Sequence, residues 1–471
     1  MTDVILFKPL YTYYAEEYMP YSLLFVASYL VKEGFSVRII DESLEPNWKE
    51  VVLKELKKKP ILFGVTSMTG QQIKNGLKFS EFVKKHSEIP VIWGGPHVVI
   101  LPEQTLENPL VDFVVRSEGE LTILELVKAL KQENSFENIL GLGYKKNKKL
   151  FLNKDRPPIN LDDIPSIPFH LVDIEKYIDS NLGGKRTFRM PTTRGCPHKC
   201  SFCVHTLSKT PWRSMSVEKI IRDLQEIIRE YNIDSLYWAD DNFFVSKKRV
   251  ERIAKSLIKE EIYITWSANC RVDYLDTYDD SFLDLLKQSG CYDLSLGIES
   301  GSNKILKKIK KGITREQILR IKNKLSDKKI RQTYLFMIGF PDETRNDVML
   351  TVSMIKKLLK KNKYFFMAFS PTPYTPYPGT ELYDLAVKKG FNPPNSLEGW
   401  INMDWQDIKL PWLSKSERRF VDTVMSNLRA LAIENSLVRN YFLFKLFLIE
   451  RFDILIPNFE RSIYRFFKKF L

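Results

Sequence analysis

Two long segments of the chain alternate short apolar runs with stretches that carry apolar residues at helical spacing. In the first, strand-like runs at Val4 to Phe7, Ser36 to Asp41, Ile61 to Ser67, Val91 to Gly94 and Asp112 to Arg116 are separated by helical patterns. Those patterns are Tyr21 to Lys32, closed by Gly34, then Trp48 to Lys58 and Gln71 to His86. Strand alternating with helix predicts a parallel sheet covered on both faces, here a doubly wound, Rossmann-like α/β domain over residues 1–140. Such a domain binds ligands at the carboxyl ends of its strands, where the loops hold Pro9 to Tyr14, Thr66 to Gly70, Gly94-Gly95-Pro96-His97 and Ser117-Glu118-Gly119-Glu120.

A polar, proline-rich stretch with Arg156-Pro157-Pro158 and Ile164 to Pro168 predicts a linker over 141–185. The alternation then resumes over 186–395, with strands at Phe188 to Thr193, Ser235 to Ala239, Tyr263 to Ala268, Asp293 to Ile298, Gln332 to Ile338 and Phe365 to Ser370. Ser216 heads a helix with Ile220, Ile221, Leu224, Ile227 and Ile228 on one face, and Thr314 with Gln317 forms a capping box. Six strand-helix units are two short of a full barrel, so the pattern predicts a partial, open (β/α)6 barrel with chemistry at the C-terminal ends of its strands. Residues 396–471 read as helical. From Tyr441 to Leu471 they interleave Phe, Leu and Ile with Lys and Arg, which suits either helices packed on the barrel or a helix lying in a membrane interface.

A chain of 471 residues exceeds what one core supports, in keeping with two domains. Five cysteines, three of them clustered, argue against a disulfide framework and for a reducing compartment such as the cytoplasm. The first residues read as a β-strand rather than a signal peptide, and no apolar span is long enough to cross a bilayer. The net charge of +14 comes from lysines scattered over many helices, so it solvates a surface and nucleic acid is not an expected partner.

The clustered cysteines are Cys196, Cys200 and Cys203, in the run Arg194-Gly195-Cys-Pro-His-Lys-Cys-Ser-Phe-Cys. This C-x3-C-x2-C spacing can place three thiolates around one iron-sulfur cube and leave the fourth iron open to a small chelating ligand, which it can supply with an electron. Structural zinc is the competing reading. It wants four closed ligands, and no second cysteine pair exists because Cys270 and Cys291 are isolated, although His198 or His205 could complete the set. Cys270 and Cys291 read as buried small hydrophobes.

The remaining barrel strands end in further polar groups. The second ends in Asp240-Asp241-Asn242-Phe243, whose carboxylates can accept hydrogen bonds from an ammonium group or simply open a turn. The third ends in Ser267-Ala268-Asn269-Cys270-Arg271, where Arg271 can bind a carboxylate or pair with Asp273 or Asp276. The fourth ends in Gly297-Ile298-Glu299-Ser300-Gly301-Ser302. Turn-making Pro and Gly follow the fifth, at Gly339 to Thr344, and the sixth, at Pro371 to Thr380.

The cysteine spacing, the Arg-Gly before it and Phe202 resemble the radical S-adenosylmethionine (SAM) superfamily. The ordered set of barrel motifs, with Lys310-Lys311-Gly312-Ile313-Thr314, Gly94-Gly95-Pro96-His97, Pro102-Glu103 and Glu118-Gly119-Glu120, is similar to the cobalamin (B12)-binding-domain radical SAM family. That resemblance implies a 4Fe-4S cluster on Cys196, Cys200 and Cys203, and SAM held near Phe202, Asp240, Asp241, Ser267, Arg271, Glu299 and Ser300, with Glu299 on the ribose hydroxyls. It also implies reductive cleavage of SAM to a 5'-deoxyadenosyl radical and delivery of a methyl group from cobalamin to an unactivated carbon. Other members use the radical for cyclisation, rearrangement or oxidation, and a non-catalytic corrin or iron-sulfur carrier is the reading from a different class. The Asp-Asp pair stands where many superfamily members carry Gly-Gly-Glu.

By the same resemblance, Thr66, Ser67, Gly94, Gly95, Glu118 and Gly119 contact cobalamin. The D-x-H-x-x-G run that supplies a histidine below cobalt is absent, and the N-terminal histidines are His86 and His97, which implies cobalamin without a lower histidine ligand or a vestigial domain that binds no corrin. The implied partners are a small-molecule or lipid-like substrate and an electron donor such as flavodoxin or ferredoxin, with peripheral membrane contact through the C-terminus.

Overall fold

The computed structural model describes residues 2–11, 18–180, 183–207, 210–367, 370–403, 410–432 and 436–456. The chain forms two compact units, one of residues 1–179, 213–219 and 393–407, the other of 180–212, 220–392 and 408–471.

The first unit is built on β1 (Val4–Lys8), β2 (Val37–Asp41), β3 (Leu62–Thr66), β4 (Val91–Gly94), β5 (Phe113–Val115), β6 (Leu142–Lys146) and β7 (Lys149–Leu152). Their order across the sheet is β2-β1-β3-β4-β5-β6-β7. The first five run parallel, in register Val4 with Val37 and with Leu62. Val4 to Phe7 are fully buried, as expected of a strand covered on both faces. On one face Phe7 stacks on Phe79 at 4.0 Å and meets Trp48 edge-on, which fixes helices Trp48–Leu56 and Gln71–His86; on the other, helices Tyr21–Lys32 and Glu120–Gln132 pack together. The sheet reverses its winding between β1 and β3, the place where open α/β sheets bind ligands.

The stretch expected as a linker over 141–185 is instead largely part of this unit. It opens with the antiparallel β6-β7 hairpin, whose two turn residues, Asn147 and Lys148, both have positive φ, at 52° and 61°. That is the mirror-type turn that matches strand twist, and it carries no Asn-Gly signal by which a sequence reading would find it. Further along, Tyr177 is buried and donates its hydroxyl to Asp41 at 2.7 Å. Residues 393–407, expected as the start of the helical C-terminus, also belong to this unit, where Trp400 donates to Gln104 at 2.6 Å.

The second unit carries six parallel strands in chain order, Thr187–Met190, Ser235–Trp238, Thr265–Cys270, Cys291–Glu299, Arg331–Ile338 and Phe365–Phe366, and a short seventh, Thr372–Pro373, that pairs with the end of the fifth. Helices follow the strands, and the box expected at Thr314 and Gln317 is formed. The third strand lies two residues later than its pattern suggested, because Tyr263 is 85% exposed and Trp266, hydrogen-bonded to Ser289, starts the buried run. Part of the expected sixth strand, Ala368 and Phe369, lies outside the described residues.

Helix Ser436–Phe452 packs on this unit through Phe442, Leu446 and Ile449. Ion pairs Lys356–Glu450 at 2.6 Å and Arg345–Asp453 at 2.9 Å tie it to helix Arg345–Leu359. Its opposite face exposes Leu437, Tyr441, Phe444 and Phe447. Among the described residues no helix is long and apolar enough to cross a membrane, and 457–471 lie outside them.

Candidate active site

The first barrel strand ends at Met190, and the chain turns through Thr192 and Thr193 into the cysteine loop. That turn is built around one buried carboxylate. Asp240, at the end of the second strand and 1% exposed, accepts from Thr192 N at 2.6 Å, Thr193 N at 2.8 Å and Thr192 Oγ1 at 2.7 Å. Behind it the buried Arg249 lies 3.6 Å from Asp240 Oδ2 and donates to Thr192 Oγ1. Asp240 is therefore engaged by the protein itself and braces the turn into the cysteine loop. Its neighbour Asp241 is 40% exposed and receives His205 Nε2 at 3.2 Å. One carboxylate of the pair sets the loop and the other faces outward, a division that spacing alone cannot show.

In the loop, all three thiols are free; Cys200 is buried and Cys196 and Cys203 are half-buried. Ser201 ties the loop to the body of the unit, its N–H donating to Ile309 O at 3.0 Å and its carbonyl accepting from Leu382 N at 2.9 Å. Burial pushes the Cys203 thiol up to about 11, and the neighbouring Cys200 and Cys196 add to the rise. Cys196 is raised by burial too, with Arg271 acting in the opposite direction. Among the described residues no three His, Cys, Asp or Glu side chains are gathered to hold a single metal ion. The histidines considered as fourth zinc ligands are engaged elsewhere: His198 Nε2 meets Tyr274 OH at 2.8 Å and His205 meets Asp241. The donor set, three thiols and an outward carboxylate, suits a three-thiolate iron-sulfur cluster with one open iron.

The other strand ends bring a second set of groups to this face. Arg271, 7% exposed, donates through Nε to Asp273 at 2.9 Å, through Nη2 to Asp273 at 3.0 Å and to the Lys311 carbonyl, and through Nη1 to Cys200 Sγ at 3.5 Å. Of the alternatives open for Arg271, pairing with Asp273 is the one the structure contains; Asp276 pairs with Arg320. Lys311, also buried, donates to Glu299 Oε1 at 2.7 Å, and Glu299 itself sits in the left-handed region at φ 65°. Lys311 was not among the expected site residues; its signal was the Lys-Lys-Gly-Ile-Thr run ahead of the capping box. Ser300 is buried and its hydroxyl meets Thr351 Oγ1 at 3.3 Å and accepts from Ser302 N at 3.1 Å. Ser267 Oγ is buried with no hydrogen-bond partner among the described residues. Phe202 meets Phe340 edge-on at 6.2 Å, linking the cysteine loop to the turn after the fifth strand. Cys270 and Cys291 are buried, free and pushed up by burial, as small core residues.

In the first unit, a cavity of about 460 Å³ opens at the carboxyl ends of β1 and β3, lined by Lys8, Tyr11, Met19, Thr66, Met68 and Gln72 among others. Gln72 shapes it by donating to Pro9 O at 3.0 Å and accepting from Met68 N at 2.9 Å, and neither Lys8 nor Gln72 was foreseen. Thr66 is the one expected cobalamin contact in this lining. Gly95, at φ 95°, is required by its own chain, because a Cβ there would stand 2.8 Å from Ser67 N. Glu118 is spent on Arg213 and Ile159 N, and Gly119 packs against Val26 and Val115. Ser67 is wholly buried and donates to Met68 O at 3.1 Å, and a Cβ on Gly94 would make only ordinary contact with Val115 at 3.7 Å. His97 is buried, bonded through Nδ1 to Thr69 at 2.9 Å and set against Trp400, and burial pushes it down to about 4, leaving it neutral at physiological pH.

Residues 190–391 match the radical SAM superfamily and residues 8–127 match the B12 binding domain. An uncharacterized methyltransferase of Pyrococcus horikoshii is 37% identical over 373 residues, 78% of each chain. An anaerobic magnesium-protoporphyrin IX monomethyl ester cyclase of Rubrivivax gelatinosus is 26% identical over 376 residues, 78% of this chain and 66% of the cyclase. Among solved structures, the cobalamin-dependent SAM radical enzyme OxsB with aqua-cobalamin and SAM bound superposes with a TM-score of 0.73 at 20% identity, covering 94% of this chain and 70% of OxsB. The radical SAM and B12-binding matches together define a radical enzyme. The chain belongs to the cobalamin-dependent radical SAM family, whose two domains imply a 4Fe-4S cluster, SAM and cobalamin.

Two substitutions test how this face is held together. Asp240→Ala removes the acceptor of two backbone N–H groups and strands Arg249, so it should cost about 3–5 kcal/mol, read as an earlier urea midpoint of the second unit. Glu343 is buried, accepts from Gly339 N at 2.5 Å and Phe340 N at 3.3 Å, and burial pushes it from 4.5 up to about 8. A carboxyl whose folded value is raised binds its proton more tightly when folded, so its contribution is full below the unfolded value and is lost as pH rises through about 8. The melting temperature of Glu343→Gln should therefore gain on wild type between pH 5 and 8, and a constant gap would contradict the assignment.

Proposed function

We propose that Cys196, Cys200 and Cys203 hold the cluster, that SAM binds at its open iron, and that the enzyme methylates an unactivated carbon of a small-molecule or lipid-like substrate. The observation that carries this is the trio of free thiols on a braced loop beside the outward carboxylate of Asp241, in a chain of this family. When bound, the cluster supplies the electron that cleaves SAM and cobalamin carries the methyl group.

The chain's own residues divide the work of positioning. Asp241 accepts from the SAM ammonium, a charge-assisted contact. Glu299, with one oxygen fixed by Lys311, presents the other to the ribose hydroxyls, and Ser267 Oγ and Phe202 complete the wall. In the first unit the β1-β3 cavity takes the cobalamin tail beside Thr66. His97, turned to Thr69 and Trp400, supports a cobalt without a lower histidine ligand. A flavodoxin or ferredoxin supplies the electron. A reading without methyl transfer, as cyclisation or oxidation, is favoured by the likeness to the cyclase. The exposed Leu437, Tyr441, Phe444 and Phe447 support peripheral contact with an anionic membrane.

Anaerobic incubation of reconstituted protein with SAM and a strong reductant should yield 5'-deoxyadenosine together with cobalamin-dependent S-adenosylhomocysteine, and Cys200→Ala should lose both products. If 5'-deoxyadenosine forms alone and cobalamin changes nothing, methyl transfer gives way to the second reading. Co-sedimentation with phosphatidylglycerol vesicles should weaken at least several-fold in a Phe444→Ser, Phe447→Ser double variant; unchanged partitioning rules out membrane contact through this face.

A further inference from the structure

Arg271 is held in a way that neither an ion pair nor a substrate contact requires. Its guanidinium is buried, and three bonds to Asp273 and the Lys311 carbonyl fix Nε and Nη2, so the side chain cannot swing. What this leaves directed at the cysteine loop is Nη1, 3.5 Å from the sulfur of Cys200, the one fully buried thiol of the three. The backbone favours the same pose. Arg271 follows directly on the third strand and stands as the N-cap of helix Val272–Thr277, so its backbone is fixed on both sides.

We infer that Arg271 raises the reduction potential of the cluster by donating a hydrogen bond to its Cys200 ligand; this rests on the cluster reading given above. Reduction adds one negative charge that spreads over the irons, the sulfides and the thiolate sulfurs. A fixed donor carrying a full positive charge stabilises that state more than the oxidised one, and it does so strongly because burial keeps water from screening it. Asp273 has two effects of opposite sign. It aims the guanidinium, and its own charge offsets part of the field. Arg271 is thus a positioning and tuning residue, with no donor on Nε or Nη2 left over for the SAM carboxylate.

The test is a potentiometric titration of the reconstituted full chain, without SAM or cobalamin, following the EPR signal of the reduced cluster. Arg271→Gln should lower the midpoint so that the reduction equilibrium falls about tenfold, which is 59 mV for one electron, with iron and sulfide content unchanged. Asp273→Asn keeps an acceptor for Nε and removes the opposing charge, so its midpoint should move the other way. Midpoints that stay at the wild-type value, or move in the same direction in both variants, overturn the inference. If Arg271→Gln assembles no cluster, the Asp273→Asn midpoint decides alone: a rise supports the inference and no rise overturns it. A wild-type protein that assembles no cluster at all overturns the functional reading and this inference together.

Discussion

A single buried carboxylate holds the cysteine loop where it is. Asp240 sits at the end of one strand and gathers the two backbone N–H groups by which the neighbouring strand leaves the barrel, so the turn into the loop has one geometry rather than many. Such a group is costly to bury, and it is tolerated because three donors and Arg249 surround it. The chain enters the cysteine loop from this brace. Asp241, next in the chain, meets His205, and the loop is held further on by Ser201 and by Arg271 at Cys200.

The electrostatics of the face follow a common plan. Each exposed or reactive group is flanked by a partner that spends its charge on holding something else. Lys311 ties down one oxygen of Glu299, its carbonyl receives Arg271, and Arg271 reaches Cys200, so that a chain of charged contacts joins the ends of the third and fourth strands to the cysteine loop. Two buried cations and two acids nearly balance, which keeps the site stable before any cofactor arrives. Burial raises the Cys196 and Cys203 thiols, which a metal centre would take as thiolates.

The first unit applies a different constraint. Its β1-β3 cavity exists because the sheet reverses winding there and the two loops diverge, and Gln72 fixes their separation from below. The glycines nearby answer to the fold. Gly95 allows its loop to lie on Ser67 and Thr66 where any side chain would collide. Glycine in a ligand-binding loop is thus ambiguous in sequence, since close approach to the cofactor and close approach to the chain itself leave the same letter.

Periodicity and spacing by themselves determined the parallel strands of both sheets as elements, the helices Tyr21–Lys32 and Gln71–His86, the capping box at Thr314 and the three cysteines, because an element's pattern is written in residues a few positions apart even where its pairing is not. The hairpin at 142–152 escaped, since its turn conformation is chosen by the sheet edge it joins rather than by Asn147 and Lys148. Membership of the site was legible only in part. Glu299 and Asp241 reach the face that their strand ends predicted, but the division of labour between Asp240 and Asp241, the inward turn of Ser300, and the arrival of Lys311 beside Arg271 were decided by contacts between residues up to 71 positions apart. A buried charge is assigned its role by whichever partners the fold brings to it, and those partners are distant in the chain.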